Sequence, residues 1–323
     1  MKACIVGYGA IGPIHANALS NSGIDYVVCD CNPERLKKAE SLGIFTSFEA
    51  VLNNTSIDTV HICTPHHLHV PMALAALEKG KHVVLEKPVG INPDEVKKLF
   101  DYQGNKEICI MLQNRKNPGI IKMKELIDSE AFGKPVTLNA FLTWHRDEEY
   151  YAQDEWRGKW ATEGGGLMIN QAVHTLDLLC WLGGGYKSLV GGIATRLLGN
   201  CIEVEDTTDA VIETNSGIKA CFYATNCSPV NSPVRIEATF DNCVLSYCND
   251  MLLLIKDSSV EILETDAKAS GNKSYWGLGH QVVIKEFYSY LDGKADDYSR
   301  LEYAKDVTNA LFDIYKQIKK QTV

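Results

Sequence analysis

The sequence contains no apolar run that approaches the roughly 20 residues needed for a membrane-spanning helix. It also lacks any run of basic residues, and its formal net charge is −9 at pH 7. Proteins that neutralise nucleic-acid phosphates need clustered Lys and Arg side chains, so this charge argues against general nucleic-acid binding. No internal repeat and no low-complexity linker is present. We therefore expect neither a membrane partner nor a nucleic-acid partner.

Cysteine is not scarce, but its arrangement excludes the usual cysteine-based sites. The 11 cysteines are an odd number, are scattered, and include no Cys-x-x-Cys pair. Several lie inside apolar runs, which is typical of reduced, buried thiols rather than of a disulfide framework. Cys29 and Cys31 lack the partners that a zinc site needs. The first apolar stretch runs directly into glycines, unlike a secretory signal. We expect a cytoplasmic protein with no metal.

A glycine-rich motif lies near the start of the sequence. The short apolar segment 3–6 is followed by the run Gly7-Tyr8-Gly9-Ala10-Ile11-Gly12 and then by a helical pattern. G-x-G-x-x-G between strand and helix is the dinucleotide-binding fingerprint, because its glycines permit a tight turn and close approach of the backbone to a pyrophosphate. N–H groups at the helix start then bind the phosphates. We expect the cofactor to contact Gly7, Gly9, Ala10, Ile11 and Gly12.

A second apolar segment, residues 25–29, ends at Asp30, which is 18 residues after Gly12. A carboxylate in this position accepts hydrogen bonds from the ribose diol and repels a 2′-phosphate, which favours NAD over NADP. Arg35 leaves an alternative open, because a guanidinium can contact a 2′-phosphate, stack on adenine or face solvent. The sequence predicts NAD as the cofactor, with NADP as the alternative.

Short apolar segments alternate with helical patterns up to about residue 112, which predicts a parallel sheet with right-handed crossovers. Two of these segments, 59–63 and 82–85, end abruptly in polar residues and a proline. Ligands of open parallel sheets collect at the carboxyl ends of the strands, so Lys87 is a candidate for chemistry. We interpret the histidine-rich residues 66–69 as a loop and helix start beside the cofactor rather than as a metal site.

After residue 135 the pattern changes to alternating strands separated by turn residues. Eight strands are predicted, over residues 136–144, 188–196, 210–213, 218–225, 234–240, 244–247, 251–256 and 260–264. A helix is predicted over residues 167–182, after three glycines. Asn170 and His174 are four residues apart on this helix and therefore share one face.

Several of these features together resemble one family. They are the glycine motif, Thr64-Pro65 with His69, Glu86-Lys87-Pro88, Gly164-Gly165-Gly166, His174 and Asp177. In this order they resemble the Gfo/Idh/MocA oxidoreductases, named for glucose–fructose oxidoreductase, inositol dehydrogenase and a rhizopine-catabolism protein. The resemblance covers nearly the whole chain. It implies a Rossmann domain over residues 1–118 and an α/β domain over residues 119–323 with a large, open, mostly antiparallel sheet.

The resemblance also implies an activity and its residues. Family members use NAD(P) to oxidise or reduce sugars, cyclitols and related compounds. The resemblance also suggests a homodimer or homotetramer built through the second sheet. Lys87 and His174 would be catalytic residues. Many members carry aspartate where this sequence has Asn170, and asparagine cannot act as a base, although it can orient a hydroxyl group by hydrogen bonding. The proton transfers would then fall to His174 and Lys87.

Further candidates follow from position at strand ends, from the resemblance, and from the aromatic and forked polar side chains that grip polyhydroxylated rings. For the cofactor they are Thr64, Pro65, His66, His69, Glu86, Lys87, Gln113, Trp156 and Arg157. For the substrate they are Lys87, Arg115, Trp144, His145, Asn170, His174, Tyr275 and Trp276. The alternative for the aromatic segments is a solvated loop with packing aromatics.

The sequence therefore predicts hydride transfer between NAD and a secondary hydroxyl or keto group of a sugar, glycoside or cyclitol. In oxidation, His174 would accept the hydroxyl proton while Lys87 hydrogen-bonds the same oxygen. Two other hypotheses stay open: a catalytically silent regulator that binds sugar or NAD, and an NAD-dependent glycosidase of the same fold. The residues name neither the substrate nor the direction of reaction.

Overall fold

The computed structural model describes residues 1–37, 39, 43–267 and 278–321. Within these residues the chain forms two compact units. The first unit comprises the described residues among 1–113 and 279–304, and the second comprises those among 114–278 and 305–323. Each unit is built around its own sheet, so each has its own layered core.

The sheet of the first unit has six strands, and all neighbouring pairs are parallel. In chain order they are β1 Lys2–Val6, β2 Asp25–Cys29, β3 Ile44–Phe45, β4 Thr59–Ile62, β5 His82–Leu85 and β6 Ile108–Ile110. Their order across the sheet is β3-β2-β1-β4-β5-β6. This is the strand order of a dinucleotide-binding Rossmann fold, so the predicted parallel sheet is confirmed.

Helices cover this sheet on both sides. Neighbouring residues of a strand point to opposite faces, and Cys4 and Ile5 of β1 are both fully buried. The helices of the first unit are α1 Gly12–Asn21, α2 Pro33–Leu36, α3 Phe48–Asn53, α4 His69–Glu78, α5 Pro93–Phe100 and α10 Gly279–Leu291. Helix α10 returns from the end of the chain, and its Phe287 is buried in one apolar cluster with Leu19 of α1.

The sheet of the second unit has eight strands in the order β14-β13-β12-β11-β7-β10-β9-β8. Its neighbouring strands are antiparallel except for β7 and β10, which are parallel. The strands are β7 Thr137–Thr143, β8 Tyr186–Thr195, β9 Thr207–Thr214, β10 Lys219–Thr225, β11 Arg235–Thr239, β12 Val244–Cys248, β13 Met251–Lys256 and β14 Ser259–Thr265. All eight predicted strands are confirmed, and so is the mostly antiparallel sheet.

Helices of the second unit pack on this sheet. They are α6 Pro118–Asp128, α7 Glu148–Ala152, α8 Leu167–Asn170, α9 Val173–Leu182 and α11 Lys305–Gln321. Strand β7 alternates between buried and half-buried residues, and its buried Leu138, Ala140 and Leu142 form a continuous apolar stripe. Helix α9 contacts β7, and α11 contacts β8. Among the described residues, no helix combines the length and the hydropathy required to cross a bilayer.

Gly166, the last of the three glycines before α8, is held by the buried carboxylate of Glu205. A Cβ on Gly166 would lie 1.9 Å from the carbonyl oxygen of Glu205, so only glycine fits there. The Glu205 carboxylate accepts hydrogen bonds from the N–H groups of Gly166 and Met168 and from the hydroxyl of Tyr315. These contacts fix the start of α8. Burial raises the pKa of Glu205 to about 7, although the hydrogen bonds oppose this shift.

This pKa makes the stability of the protein depend on pH. Between about pH 4.3, where an unfolded glutamate titrates, and about pH 7, the folded protein keeps a proton that the unfolded chain has released. The contribution of Glu205 to the free energy of unfolding therefore falls as pH rises, by about 1.4 kcal/mol per pH unit at most. Glu205→Gln cannot ionise, so the variant should gain stability relative to the wild type by about 3 kcal/mol between pH 5 and pH 8.

Urea unfolding of both proteins at pH 5, 6, 7 and 8 measures this difference. Glu261→Gln on β14 is a matched control, because Glu261 is exposed and its removal should leave the pH dependence unchanged. Parallel stability curves for Glu205→Gln and the wild type would contradict the assignment.

Candidate active site

The glycine motif connects β1 to α1 in a tight turn. Gly7 has a φ of +92°, and a Cβ there would lie 2.5 Å from the carbonyl oxygen of Cys63. Gly7 donates its N–H to the carbonyl of Cys29 at 2.8 Å. The turn therefore lies directly against the ends of β2 and β4, where a side chain would not fit.

Asp30 holds this turn in place. Its Oδ2 accepts the N–H of Tyr8 at 2.7 Å, and its Oδ1 accepts the N–H of Asn32 at 2.8 Å. The Asp30 side chain is buried, whereas the side chain of Arg35 is 42% exposed and places Nη1 3.8 Å from Oδ2. Arg35 also lies 3.7 Å from the position of a Cβ on Gly9. A carboxylate has about four acceptor sites, so Asp30 can bind the loop and still accept hydrogen bonds from a ribose.

The start of α1 has the chemistry that a pyrophosphate requires. The helix begins at Gly12, its N-cap residue Ile11 provides no side-chain hydrogen bond, and Pro13 follows. There is no acidic residue in the first turn of α1. Backbone N–H groups and the positive end of the helix dipole thus meet no carboxylate of that turn. The residues present fit a dinucleotide.

Lys87 lies two residues after β5 and is half-buried. Two loops are relevant here: the one after β4, which contains Thr64, and the one after β5, which contains Lys87 and Pro88. The Lys87–Pro88 peptide bond is cis. His69 connects the two loops, because its Nδ1 lies 2.7 Å from the carbonyl oxygen of Pro88 and its Nε2 lies 2.9 Å from that of Thr64. Burial lowers the pKa of His69, and these two hydrogen bonds partly oppose the shift. The first unit thus brings together Thr64, His69 and Lys87.

The carboxylate of Glu86 lies in a buried histidine cluster. Its Oε1 is 3.0 Å from Nε2 of His15 and 3.4 Å from Nε2 of His280, while its Oε2 accepts the N–H of Lys87 at 3.2 Å. Burial would raise the pKa of Glu86, but hydrogen bonds from the two histidines outweigh it and hold the pKa well below its usual range. Glu86 is therefore a buried, ionised carboxylate directly before Lys87.

Three further predicted residues of the first unit, Pro65, His66 and Gln113, lie after strand ends. His66 is buried in a short 3-10 helix, with its ring centroid 5.7 Å from that of His69. Gln113 is buried after β6, and the start of α10 lies close to it, since a Cβ on Gly279 would be 2.3 Å from the Gln113 carbonyl oxygen. Pro65 precedes His66 as its N-cap residue.

The helix predicted over residues 167–182 is wrong in one respect, because it is interrupted. Helix α8 ends at Asn170 and α9 begins at Val173. The N–H of Ala172 donates to the carbonyl of Leu167, five residues earlier, which makes a wider turn than an α-helix. Asn170 and His174 thus belong to consecutive helices. Both are half-buried residues of the second unit.

Asn170 is oriented by Glu163, a residue that the sequence did not single out. The Asn170 side-chain amide donates to Oε1 of Glu163 at 2.5 Å, and Oε2 of Glu163 accepts the N–H of Gly158 at 2.5 Å. Glu163 is 1% exposed. An ionised carboxylate can accept hydrogen bonds but cannot donate them. When ionised, Glu163 therefore requires that the NH2 end of the Asn170 amide points toward it.

Arg115 and Asp177 form a bidentate pair in the second unit. Arg115 Nε lies 2.9 Å from Oδ2 of Asp177, and its Nη2 lies 2.6 Å from Oδ1. Burial raises the pKa of Asp177, and the guanidinium partly opposes the shift. The guanidinium also lies 5.3 Å from the ring of Trp181. Arg115 therefore fixes helix α9, which carries His174, whatever else it contacts.

The aromatic segment after β7 contacts the turn between α8 and α9. The hydroxyl of Tyr150 accepts hydrogen bonds from Arg157 and from the side-chain amide of Gln171, the latter at 2.7 Å. The Arg157 guanidinium lies 4.6 Å from the Tyr150 ring and 4.8 Å from the Trp156 ring. The side chain of Gln171 also accepts from Asn226. Arg157, Trp156 and the residue after Asn170 are thus brought together.

Trp144 and His145 lie at the end of β7 and make separate contacts. Trp144 donates its indole N–H to the carbonyl of Ser232 at 3.1 Å, and the ring nitrogen Nδ1 of His145 lies 2.8 Å from the carbonyl of Ser228. The His145 side chain is 49% exposed. Tyr275 and Trp276, which were predicted to bind substrate, lie outside the described residues.

Solved structures of similar fold carry nicotinamide cofactors and sugars. The WlbA dehydrogenase from Bordetella pertussis, solved in complex with NADH and UDP-GlcNAcA, matches with a TM-score of 0.85 and 25% identity over 99% of this chain and 97% of that one. A levoglucosan dehydrogenase solved with NADH and levoglucosan matches with a TM-score of 0.86 over 99% and 97% of the two chains. Its identity is 19%, so it supports the fold alone.

Curated relatives align over part of their length. A levoglucosan dehydrogenase from Pseudarthrobacter phenanthrenivorans is 25% identical over 207 residues, which are 59% of this chain and 53% of that protein. The oxidoreductase P35 of Formosa agariphila is 30% identical over 174 residues, again 53% of each protein. The chain thus spans about half the length of these relatives. The scyllo-inositol 2-dehydrogenase (NAD(+)) of Bacillus subtilis is 28% identical over 73% of this chain and 70% of its own length.

Family profiles match both halves of the sequence. Residues 1–113 match the oxidoreductase family with an NAD-binding Rossmann fold, and residues 120–245 match the GFO/IDH/MocA C-terminal domain. The two matches fall in the order that the sequence motifs predicted, and together they cover most of the chain. The chain belongs to the GFO/IDH/MocA family of oxidoreductases.

Proposed function

We propose that the protein is an NAD-dependent dehydrogenase or reductase that acts on a secondary hydroxyl or keto group of a sugar, glycoside or cyclitol. The observation that carries this proposal is the edge of the first sheet, where a dinucleotide-type glycine loop and Lys87 follow strands of one parallel sheet. The names of the relatives, which are inositol and levoglucosan dehydrogenases, support the substrate class. UDP-sugars are a variant of this class, since the WlbA complex contains one.

The first unit would bind the cofactor, and the second would supply most of the substrate contacts. The nicotinamide, when bound, supplies the acceptor or donor of the hydride. The cofactor-binding residues would be Gly7, Gly9, Ala10, Ile11, Gly12, Asp30, Arg35, Thr64, Pro65, His66, His69, Glu86, Lys87 and Gln113, with Trp156 and Arg157. Asp30 would favour NAD over NADP, because its buried carboxylate would meet a 2′-phosphate as a like charge.

In the oxidative direction, His174 would accept the proton of the substrate hydroxyl, and Lys87 would donate a hydrogen bond to the same oxygen. Asn170 would orient a neighbouring hydroxyl, with its amide fixed by Glu163. Arg115, Trp144 and His145 would complete the substrate contacts. In the reductive direction protonated His174 would return the proton to the carbonyl oxygen, while Lys87 again donates a hydrogen bond to that oxygen.

Substitution of the two proposed acid–base residues tests this function. Lys87→Ala should abolish turnover while NADH still binds, because the glycine loop and Asp30 are untouched. His174→Ala should lower kcat by ~10²–10⁴, the usual range for lost acid–base catalysis. A panel of sugars and cyclitols with NAD⁺ and NADP⁺, followed by the absorbance of the reduced nicotinamide, identifies the substrate and measures both variants.

If both variants keep full activity, the catalytic roles are wrong. Two further outcomes would favour the other functions. If the wild type binds a sugar and NADH without turnover, it is a regulator that retains the fold. Oxidised cofactor that co-purifies with the protein, together with glycoside cleavage and no net NADH, would indicate the glycosidase.

The cofactor preference depends on the charge of Asp30. Asp30→Asn removes the negative charge and retains one acceptor oxygen, which can bind the Tyr8 N–H but not the Asn32 N–H as well. The ratio of kcat/KM with NAD⁺ to that with NADP⁺ should fall by about tenfold or more, because a hydrogen bond to a charged group contributes about 1.5–3 kcal/mol. Asp30→Ala is the comparison, since it also releases the loop and should weaken both cofactors. An unchanged ratio in Asp30→Asn would contradict this role.

We also propose a cytoplasmic homodimer or homotetramer assembled through the second sheet. Strands β8 and β14 at its two edges carry exposed apolar residues, including Val190 at 54%, Ile193 at 55% and Val260 at 63% exposure. Burial of such residues against a second copy would remove apolar surface from water. Light scattering of the purified protein measures the assembly.

A further inference from the structure

We propose that His15 is a positioning residue for Lys87, acting through the Glu86 carboxylate to which it donates a hydrogen bond. This inference rests on the proposed function, which makes Lys87 catalytic. Oε1 of Glu86 accepts a hydrogen bond from His15 Nε2 at 3.0 Å and lies 3.4 Å from His280 Nε2, while Oε2 accepts the backbone N–H of Lys87. The carboxylate is thus held from both sides, and the backbone that aims the lysine is held with it.

The cluster continues away from Lys87 as a chain of hydrogen bonds. His15 Nδ1 lies 2.9 Å from His61 Nδ1, and His61 Nε2 lies 2.9 Å from the hydroxyl of Tyr288. Each of these residues is at most 4% exposed. The chain joins four elements of the first unit, since its members lie on α1, on β4, after β5 and on α10.

Burial lowers the pKa of His61, and with His61 neutral and Glu86 ionised two arrangements of protons satisfy every contact in this chain. In the first, Tyr288 donates to His61 Nε2, His61 donates from Nδ1 to His15, and His15 donates from Nε2 to Glu86. In the second, His15 carries one additional proton on Nδ1 and donates to both neighbours, so His61 donates to Tyr288 instead. In both arrangements His15 Nε2 carries the hydrogen that Glu86 accepts. Glu86 is therefore held in either protonation state of His15.

His15 also connects Lys87 to the cofactor loop. It lies in the first turn of α1, three residues after Gly12, and its ring is fully buried. The helix whose start has the chemistry for a pyrophosphate is therefore hydrogen-bonded to the residue before Lys87. A cofactor that fixes the start of α1 would fix the Glu86 carboxylate with it. This link predicts a larger effect on kcat than on cofactor affinity.

The ionised Glu86 lies beside a lysine, and an opposite charge favours the ammonium form. The titratable groups that face Glu86 from the surrounding elements are His15, His280, His61, Cys63, His69 and Lys87. Burial lowers the pKa of both His61 and His280, so neither adds a positive charge near neutrality. Loss of the Glu86 charge should shift the high-pH limb of kcat/KM, which reports loss of the lysine proton, to lower pH.

The test compares four variants of the full-length protein, with the substrate identified by the panel. Glu86→Gln keeps the shape and removes the charge, and His15→Phe keeps the ring and removes both hydrogen bonds. His15→Gln retains one N–H donor toward Glu86. His82→Gln is the matched control, because His82 lies on the same strand β5 at the opposite end from Glu86. Melting temperature and NADH fluorescence titration report folding and cofactor affinity.

Glu86→Gln and His15→Phe should lower kcat by about 10- to 100-fold, the range found when a group that orients an active residue is removed. NADH affinity should fall by less than kcat does, because the glycine loop and Asp30 are unchanged, and the high-pH limb should move in Glu86→Gln. His15→Gln should recover part of the loss, and His82→Gln should match the wild type. Wild-type kcat and pH profile in Glu86→Gln, with Lys87→Ala inactive, would overturn the positioning role and leave the proposed function intact. An active Lys87→Ala would instead overturn the proposed function.

A measurement on the unaltered protein avoids variants that fail to fold. Long-range ¹H–¹⁵N spectra of ring-labelled histidine should show His15 Nε2 protonated between pH 6 and pH 9, and an unprotonated Nε2 would overturn the proposal. The ring and carboxylate atoms of His15, Glu86 and His280 lie within 4.8 Å of one another, and zinc binds such ligands. Stoichiometric zinc that is lost in Glu86→Gln would therefore also overturn it.

Discussion

The parallel direction of β1–β6 is the constraint on which the first unit depends. Every strand of such a sheet ends at the same edge, so residues that are far apart in sequence are collected there. Gly7 follows β1, Asp30 follows β2, and Lys87 follows β5 by two residues. Strand β4 separates β1 from β5, and the loop after it is joined to the Lys87 loop by His69. The positions of the glycine loop and of Lys87 are therefore both determined by the geometry of this one sheet.

Buried carboxylates fix both units locally, and each is satisfied in a different way. Glu86 accepts from His15, Asp177 from the guanidinium of Arg115, and Glu205 from backbone N–H groups and Tyr315. A buried charge that loses its partner is costly, so these groups permit few alternative arrangements of their neighbours. Their neighbours are the parts of the chain proposed for the chemistry: the backbone of Lys87, the helix that carries His174, and the glycine turn before Asn170.

The sheets could be predicted because burial leaves a periodic record in sequence. Both faces of β1 are covered, and its residues 3–6 are continuously apolar, whereas β7 alternates with a period of two. The interruption between α8 and α9 left no such record. Apolar residues recur on both sides of the break within 167–182. The break coincides with side-chain hydrogen bonds from Asn170 to Glu163 and from Gln171 to Tyr150. Those bonds depend on tertiary contacts, which periodicity does not encode.

The same limit explains why His15 and Glu163 were missed, although a signal for His15 exists. His15 and Glu86 are 71 residues apart in sequence, and only the fold brings them together. A histidine on the buried face of the first helix must find a hydrogen-bond partner, because a buried polar group without one is costly. The start of that helix lies at the carboxyl edge of the sheet, so the partner must come from a strand end. In a Rossmann fold, a buried polar residue one turn after the glycine motif therefore points to a polar group at that edge, and Glu86 is that group.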